Sequence, residues 1–270
     1  MIVGAESQAV QVGWPEMVAA LSLVALAVGI SLWRGLELER PLIEASVRAA
    51  VQLVLVGLLF TVIFDAEGAL ALAWLWVVIM IAIAVVVVRR RAPSIPGLWK
   101  AVLVSVAGST GVSLALVFGL GVFEHEPVAV VVIAGITVGN VLPAAVLAAQ
   151  QLVRHFADDH GQVEAMLALG LNAKQATRFI GPRAARTALV GQIERTKVVG
   201  LIALPGAMTG LLLAGVDPID AVLVQLIVMY LILGAAAVAV TTIVWAGSQA
   251  AFTDDLRLAD WTTDFGNSTD

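Results

Sequence analysis

Apolar residues gather in seven runs along the chain, roughly 17–33, 43–64, 69–88, 101–123, 127–150, 198–216 and 219–245. Each approaches the ~20 apolar residues that a helix needs to cross a bilayer. Hydrocarbon offers no water to a bare backbone, so segments that cross it must close their own hydrogen bonds, and the runs predict helices. The polar stretches between them alternate in charge. Those after runs one, three and five carry Arg34, Arg40 and Arg48, then Arg89, Arg90, Arg91 and Lys100, then Arg154, Lys174, Arg178, Arg183, Arg186, Arg195 and Lys197. Arg257 follows in the tail. The N-terminal segment and the loops after runs two, four and six hold acids such as Asp65, Glu67, Glu124, Glu126 and Asp217, and no base. Basic loops remain in the cytoplasm. The expectation is an all-α, polytopic helical membrane protein of seven transmembrane helices, N-terminus outside and C-terminus cytoplasmic, multi-pass in the cell (plasma) membrane.

The domain layout follows. Residues 1–247 form a transmembrane domain, with a cytoplasmic segment, 151–197, inserted between helices five and six. Residues 248–270 read as an acidic, disordered cytoplasmic tail, with Asp254, Asp255, Asp260, Asp264 and Asp270 spaced irregularly among Gly, Ser and Thr. Within 151–197 the punctuation is clear. Gln162 to Leu169 is a short amphipathic helix ended by Gly170, which suits a left-handed cap. Asn172 can cap a second helix through Lys174, Arg178 and Ile180 to Gly181. Pro182 fits the first turn of a third helix that feeds into run six. Such a stub can transmit force to a span, or it can lie as a connector on anionic membrane lipid.

Composition narrows the class. A mean hydropathy of +1.00, with 60% apolar and 13% charged residues, is not that of a soluble domain. Nothing basic precedes run one and Arg34 follows it, the reverse of a cleaved secretory signal. The chain has no Cys, which removes disulfides and thiolate chemistry. Its three His residues lie outside the runs, and no acid falls at a bilayer centre. Run seven has no Lys for a retinal Schiff base, and the sites for intramembrane hydrolysis are missing. There is no G-x-x-x-x-G-K-[ST] phosphate loop. The chain is expected not to be an enzyme.

Polar residues inside the runs are the candidate functional positions. Glu44, Arg48 and Gln52 share one face of helix two, with Glu44 placed to pair with Arg48. Gln52 lies about 15 Å in at ~1.5 Å per residue. It is either an interhelical hydrogen-bonding group or part of a substrate path. In run five, Gly135 and Gly139 form a small-residue seam, and Asn140 precedes Pro143, which frees the Gly139 carbonyl. In run six, Pro205 and Gly206 break the helix and Met208 falls near the midplane. Gln225 and Met229 lie one turn apart in run seven. Discontinuous helices with polar groups at mid-depth are a recurring way to build a transport site. Gln52, Asn140, Pro143, Pro205, Gly206, Met208 and Gln225 are therefore the expected path and hinge. The stripe Ser105, Ser109, Ser113 is read as packing.

Two sequence likenesses sharpen this. Glu164-Ala165 to Gly170, with Ile180 further on, resembles the cytoplasmic EAA-type loop of ABC-transporter permeases, although Pro182 does not follow a Leu. The stretch MLALG…R…TKVVGLIALPGAMTGLLLAGVDPIDAVLVQLIV, with SVRAAVQLVLVG around Gln52 and VIAGITVGN around Asn140, is similar to the FetB-type permease family over most of residues 40–246. That resemblance implies a permease subunit of an ATP-driven exporter of iron or another metal ion. It implies coupling through Glu164, Ala165 and Gly170 to a separate ABC ATPase subunit, which holds ATP and Mg, and a homodimer. This chain then binds no cofactor itself, its own metal ligands are unknown, and no nucleic acid is a partner. Ala207, Gly191 and Glu194 depart from the family pattern, which often has Met, Pro and Asp there. The missing Met weakens any thioether metal site. The alternative is a membrane scaffold or assembly protein that recruits a cytoplasmic partner through the 160–190 helices.

Overall fold

The computed structural model describes residues 13–92, 95–253 and 257–262. Among the described residues every regular element is helical: α1 Trp14–Arg34, α2 Glu39–Phe64, α3 Ala69–Arg91, α4 Leu98–Gly119, α5 Pro127–Asp158, α6 His160–Ala168, α7 Ala173–Ala176, α8 Ile180–Val198, α9 Gly206–Leu213 and α10 Pro218–Gln249, with a 3-10 turn at Asp260–Thr262. Six of them, α1–α5 and α10, are long and apolar enough to cross a membrane. They coincide with six of the seven apolar runs.

Run six is the exception, and the expected count of seven transmembrane helices is corrected there. The chain leaves the helix at Val198, and Val199 and Ala203 form an isolated bridge. Gly200 takes a left-handed φ of 86° and donates its N–H to the Ala203 carbonyl at 3.0 Å. Pro205 has no N–H to give, so the short α9 begins only after it, and α9 buries none of its residues. The break is thus wider than the expected hinge at Pro205-Gly206, and α8 does not run on into a sixth span.

The chain divides into two compact units, 13–69 with 213–215, and 70–212 with 216–262. In the first, α1 and α2 meet at a tight corner. Gly35 adopts φ 62°, and the Leu36 N–H closes back on the Ser31 carbonyl at 3.0 Å. Buried Ser31 uses its hydroxyl twice: it donates to Glu39 Oε1 at 2.7 Å and accepts the Leu38 N–H at 3.0 Å. Elsewhere both helices turn apolar side chains outward, such as Leu53, Val54 and Leu55. Glu44 and Arg48 are both exposed, and among the described residues they form no ion pair. The expected pair is corrected: an exposed i,i+4 contact is worth only ~0.2–0.5 kcal/mol, too little to hold two long side chains together.

The second unit is built around α5. Its broad buried face includes Val141, Ala145, Ala148, Ala149, Leu152 and Phe156, and packs on α4, α8 and α10. Small side chains let the helices approach closely, with Ala145 and Ala149 on α5 and Ala236 and Ala239 on α10 fully buried. The glycine seam does not do this within the chain. A Cβ on Gly139 would meet nothing within 4 Å, and one on Gly135 would just touch Met80.

Helix directions can be read from contacts at each end. Ile133, Ile136 and Thr137 of α5 share a cleft with Val228, Leu231 and Ile232 of α10, and further on Leu152 lies against Gly247. The two helices therefore run parallel. Trp74 near the start of α3 and Phe118 at the end of α4 both stack on His125, just ahead of α5. At the opposite end Gln150 Nε2 donates to the Arg91 carbonyl at 3.0 Å. So α3 also runs with α5, and α4 runs against them. Pro143 does not break α5; it sits on the exposed side of a continuous helix.

Part of the tail is folded, which corrects the expectation of disorder for residues 257–262. Phe252 bridges to Leu258, Trp261 packs edge-on to Phe156 at 5.6 Å, and its indole N–H reaches the Ala250 carbonyl at 3.1 Å. The hydrophobic contact outweighs the polar composition around it. Asp254, Asp255, Asp264 and Asp270 lie outside the described residues.

The α5–α10 contact yields a test. A Cβ on Gly247 would collide with the fully buried Leu152 and approach Ile95 at 3.6 Å. Gly247→Val should lower the thermal midpoint in detergent, at a cost of about 1–3 kcal/mol. Adding Leu152→Ala should recover part of it. An unchanged midpoint for Gly247→Val would contradict this packing.

Candidate functional site

Two regions of the second unit bring the candidate residues together. The first is the stub after α5. Helix α6 ends in the paired closure its sequence predicts: Gly170 takes φ 85°, the Leu171 N–H returns to the Met166 carbonyl at 3.1 Å, and the Gly170 N–H returns to Leu167 at 2.9 Å. Asn172 then caps α7 reciprocally with Gln175, at 2.9 and 3.1 Å. This second helix is shorter than expected, because α7 stops at Ala176, and the third begins at Ile180 with Pro182 in its first turn.

Only Val163 of α6 is fully buried. Glu164 and Ala165 are exposed, Glu164 lies 3.7 Å from His160, and Leu169 at the tip is 79% exposed. The stub is tied to α8 by the Arg183 guanidinium, 3.1 Å from Asp159 at the head of α6.

The second region lies where α8 meets α5 and α10. Helix α8 buries Ile180, Ala184, Ala188 and Gln192, spaced at four, against its neighbours. Its start lies by the end of α10, with a Cβ on Gly181 3.3 Å from Val244. Its end lies by the middle of α5 and the first half of α10. There a cavity of about 280 Å³ is lined by Asn140, Gln192, Arg195, Val198, Val199, Ala203, Pro205, Met229 and Ile232. So α8 runs antiparallel to both. Asn140 donates to the Ile136 carbonyl at 2.8 Å, which leaves its amide oxygen for the cavity. Arg195 is exposed and makes no ion pair or hydrogen bond among the described residues, whereas its neighbours Glu194 and Lys197 pair at 2.7 Å.

Of the expected path residues, Asn140 and Pro205 line this cavity, and Gly206 is adjacent. Met208 is half-buried on α9 and is not part of the wall. Gln225 is buried at 4% exposure, with its carbonyl oxygen unpartnered, one turn from Met229, which does line it. Pro143 faces away, and Gln52 belongs to the first unit, exposed on α2. Sequence reasoning did not include Gln192 and Arg195 among the path residues. The signal was available: Gln192 continues the apolar face of Ala184 and Ala188 at helical spacing. The serine stripe does pack. Each of Ser105, Ser109 and Ser113 is buried and donates to a carbonyl one turn back.

No group of three or more His, Cys, Asp or Glu that could hold a metal occurs among the described residues. The cavity wall includes the amides of Asn140 and Gln192, the Met229 thioether and Arg195, and is otherwise apolar.

These features define a polytopic, multi-pass helical membrane protein with a mainly apolar cavity between its helices, to which Asn140, Gln192 and Arg195 contribute. The chain belongs to the family described as Uncharacterised protein family (UPF0014), whose model matches residues 14–252. It is 35% identical over 249 residues to the UPF0014 membrane protein STAR2 of Oryza sativa subsp. japonica, covering 92% of this chain and 87% of that one. It is 31% identical over 221 residues to the protein of Escherichia coli named Probable iron export permease protein FetB, covering 82% and 85%. It is 34% identical over 247 residues to Protein ALUMINUM SENSITIVE 3 of Arabidopsis thaliana, covering 91% and 90%. No solved structure matches the chain. These relatives indicate no enzyme family.

The unpartnered amide of Gln225 generates a prediction. A buried acceptor without a donor costs about 1–3 kcal/mol, so Gln225→Leu should hold or raise the thermal midpoint. A fall in the midpoint would show the amide engaged in the folded protein.

Proposed function

We propose that the chain is the membrane-spanning subunit of an ATP-driven exporter in the cell membrane, paired with a second copy and with separate ATPase subunits, and moving iron or another metal ion. The observation that carries this is the stub. A short helix with a closed, rigid cap at Gly170 presents Glu164, Ala165 and Leu169 to the cytoplasm, and an ion pair joins its base to α8. A push on α6 is therefore delivered to a helix packed on α5 and α10. The cargo class comes from the printed name of the Escherichia coli relative.

The parallel course of α3, α5 and α10 supports the topology expected from charge, N-terminus outside and C-terminus inside. If α5 and α10 cross in the same direction, the chain between Asp158 and Pro218 crosses back. In this reading that sixth crossing is made jointly by α8, the irregular 199–205 and α9 rather than by one continuous helix. Irregular backbone at such depth persists where protein or water covers it.

The coupling claim is tested by Gly170→Pro and Glu164→Lys in the full chain with its ATPase, reconstituted in liposomes. Gly170 has a left-handed φ that proline cannot adopt. Both variants should lose at least tenfold in nucleotide-driven export and in stimulation of the ATPase. Retained export with unchanged stimulation would remove the coupling role, and co-purification of the chain with only non-ATPase proteins would favour a scaffold.

A further inference from the structure

We infer that the cavity at Asn140, Gln192 and Arg195 is a hydrated cargo site near mid-bilayer depth, and that it takes an anionic group, a carboxylate or a phosphate, on the Arg195 guanidinium. This deepens the reading of the chain as a permease and rests on it.

Depth comes first. The run Arg89–Arg91 marks the inner boundary, and Gln150 of α5 is level with it through its bond to the Arg91 carbonyl. From Pro127 to Gln150 α5 rises about 35 Å at ~1.5 Å per residue, close to one hydrocarbon thickness of ~30 Å. Asn140 is then about 15 Å from the inner boundary. A second anchor agrees. Gly181 sits beside Val244 near the inner end of α10, and Arg195 is about 21 Å further along α8, rising towards the centre. Gln192, Arg195 and Val198 share one cavity wall with Asn140, which fixes the level directly.

Charge comes second. Helix α8 leaves Arg186, Glu194, Arg195 and Lys197 exposed. Ionised side chains at this depth face protein or a water-filled cavity rather than lipid. No other described helix of the chain covers these four side chains, so this face of α8 is assigned to water. Glu194 and Lys197 neutralise one another, whereas Arg195 keeps an uncompensated positive charge at the cavity.

Ligand chemistry comes third. No carboxylate lines the cavity, so a bare cation would meet amide oxygens and one thioether beside a fixed positive charge. Arg presents a planar fork of donors that matches carboxylate and phosphate oxygens, and Gln192 and Asn140 add neutral polar groups around it. A metal would pass this point inside an anionic complex, its ligands facing Arg195.

The chain has no Cys, which makes single-thiol chemistry clean. Val198, in the cavity wall, is changed to Cys in the full chain, in inside-out membrane vesicles. Anionic and cationic methanethiosulfonates are then compared in three backgrounds: Arg195, Arg195→Gln and Arg195→Lys. Both reagents should react far faster than at a Val78→Cys control, exposed near the apolar middle of α3. The anionic one should lead by about tenfold with Arg or Lys at 195, and lose that lead with Gln.

Millimolar citrate or inorganic phosphate should slow a neutral maleimide several-fold at Val198→Cys, where chloride at equal ionic strength does not. Protection by citrate points to carboxylate cargo and protection by phosphate to phosphorylated cargo. Reaction as slow as at Val78→Cys would show that α8 faces lipid. An anion preference untouched by Arg195→Gln, or protection by Fe(II) alone or by nothing, would overturn the assignment. ATP-driven export is not read in these rates, so failure of the coupling claim leaves them unchanged and remains separately visible.

Discussion

The side-by-side packing of α5 and α10, both pointing the same way, is the contact on which the rest of the second unit depends. It is made possible by alanine at Ala145, Ala149, Ala236 and Ala239, and by Gly247, where no Cβ fits over Leu152. Two parallel membrane helices cannot be joined by a short loop, because the chain has to travel back the full height between them. Under the proposed topology the segment from Asp159 to Asp217 provides the return, through a polar helix, a stretch of irregular backbone and a short apolar helix. Of these, α8 lies against α5 and α10 along its buried face, whereas α9 buries none of its residues.

That constraint explains what could be read from the sequence and what could not. Hydropathy located α1 to α4 and α10 within about four residues at either end, because each is apolar along nearly its whole length, but it ended run five at 150, short of the polar last turns of α5 at Asp158. The caps at Gly170 and Asn172 were also legible, since left-handed glycine closure and a reciprocal Asn–Gln pair depend on local chemistry alone. Hydropathy failed on run six for a physical reason. Averaging over residues 198–216 rewards apolar content, but Gly200 and Pro205 decide the backbone, and an apolar segment with non-helical φ is still apolar. Trp261 is a further case, an aromatic residue in an acidic tail whose docking onto Phe156 no local pattern announces.

The site was half legible for the same reason. Asn140 and Pro205 stood out as polar or helix-breaking residues inside apolar runs, and both line the cavity. Gln192 and Arg195 did not stand out, because an amide and a guanidinium among other polar residues attract no notice until the packing of α8 is known. The glycine pair at 135 and 139 misled in the other direction. Its spacing suits helix association, yet within the chain its surface stays open, so the close contacts are carried by alanines that a motif search passes over.

The stub and the cavity are joined by one short path, and its parts are unequal in stiffness. Asp159 heads α6 and holds Arg183 in the first turns of α8, while Ile180, Ala184, Ala188 and Gln192 fix one face of α8 against its neighbours. A displacement of α6 can pass through that ion pair as rotation or sliding of α8, because small residues on the packed face offer little resistance to either. At the far end the helix stops, and residues 199–205 can change conformation without breaking a helical ladder, since most of their backbone bonds are already outside one. Arg195 sits just before this flexible stretch. A modest shift of α8 therefore relocates Arg195 relative to Asn140 on α5, and under the proposed coupling a push at the stub would reach the cavity by this path.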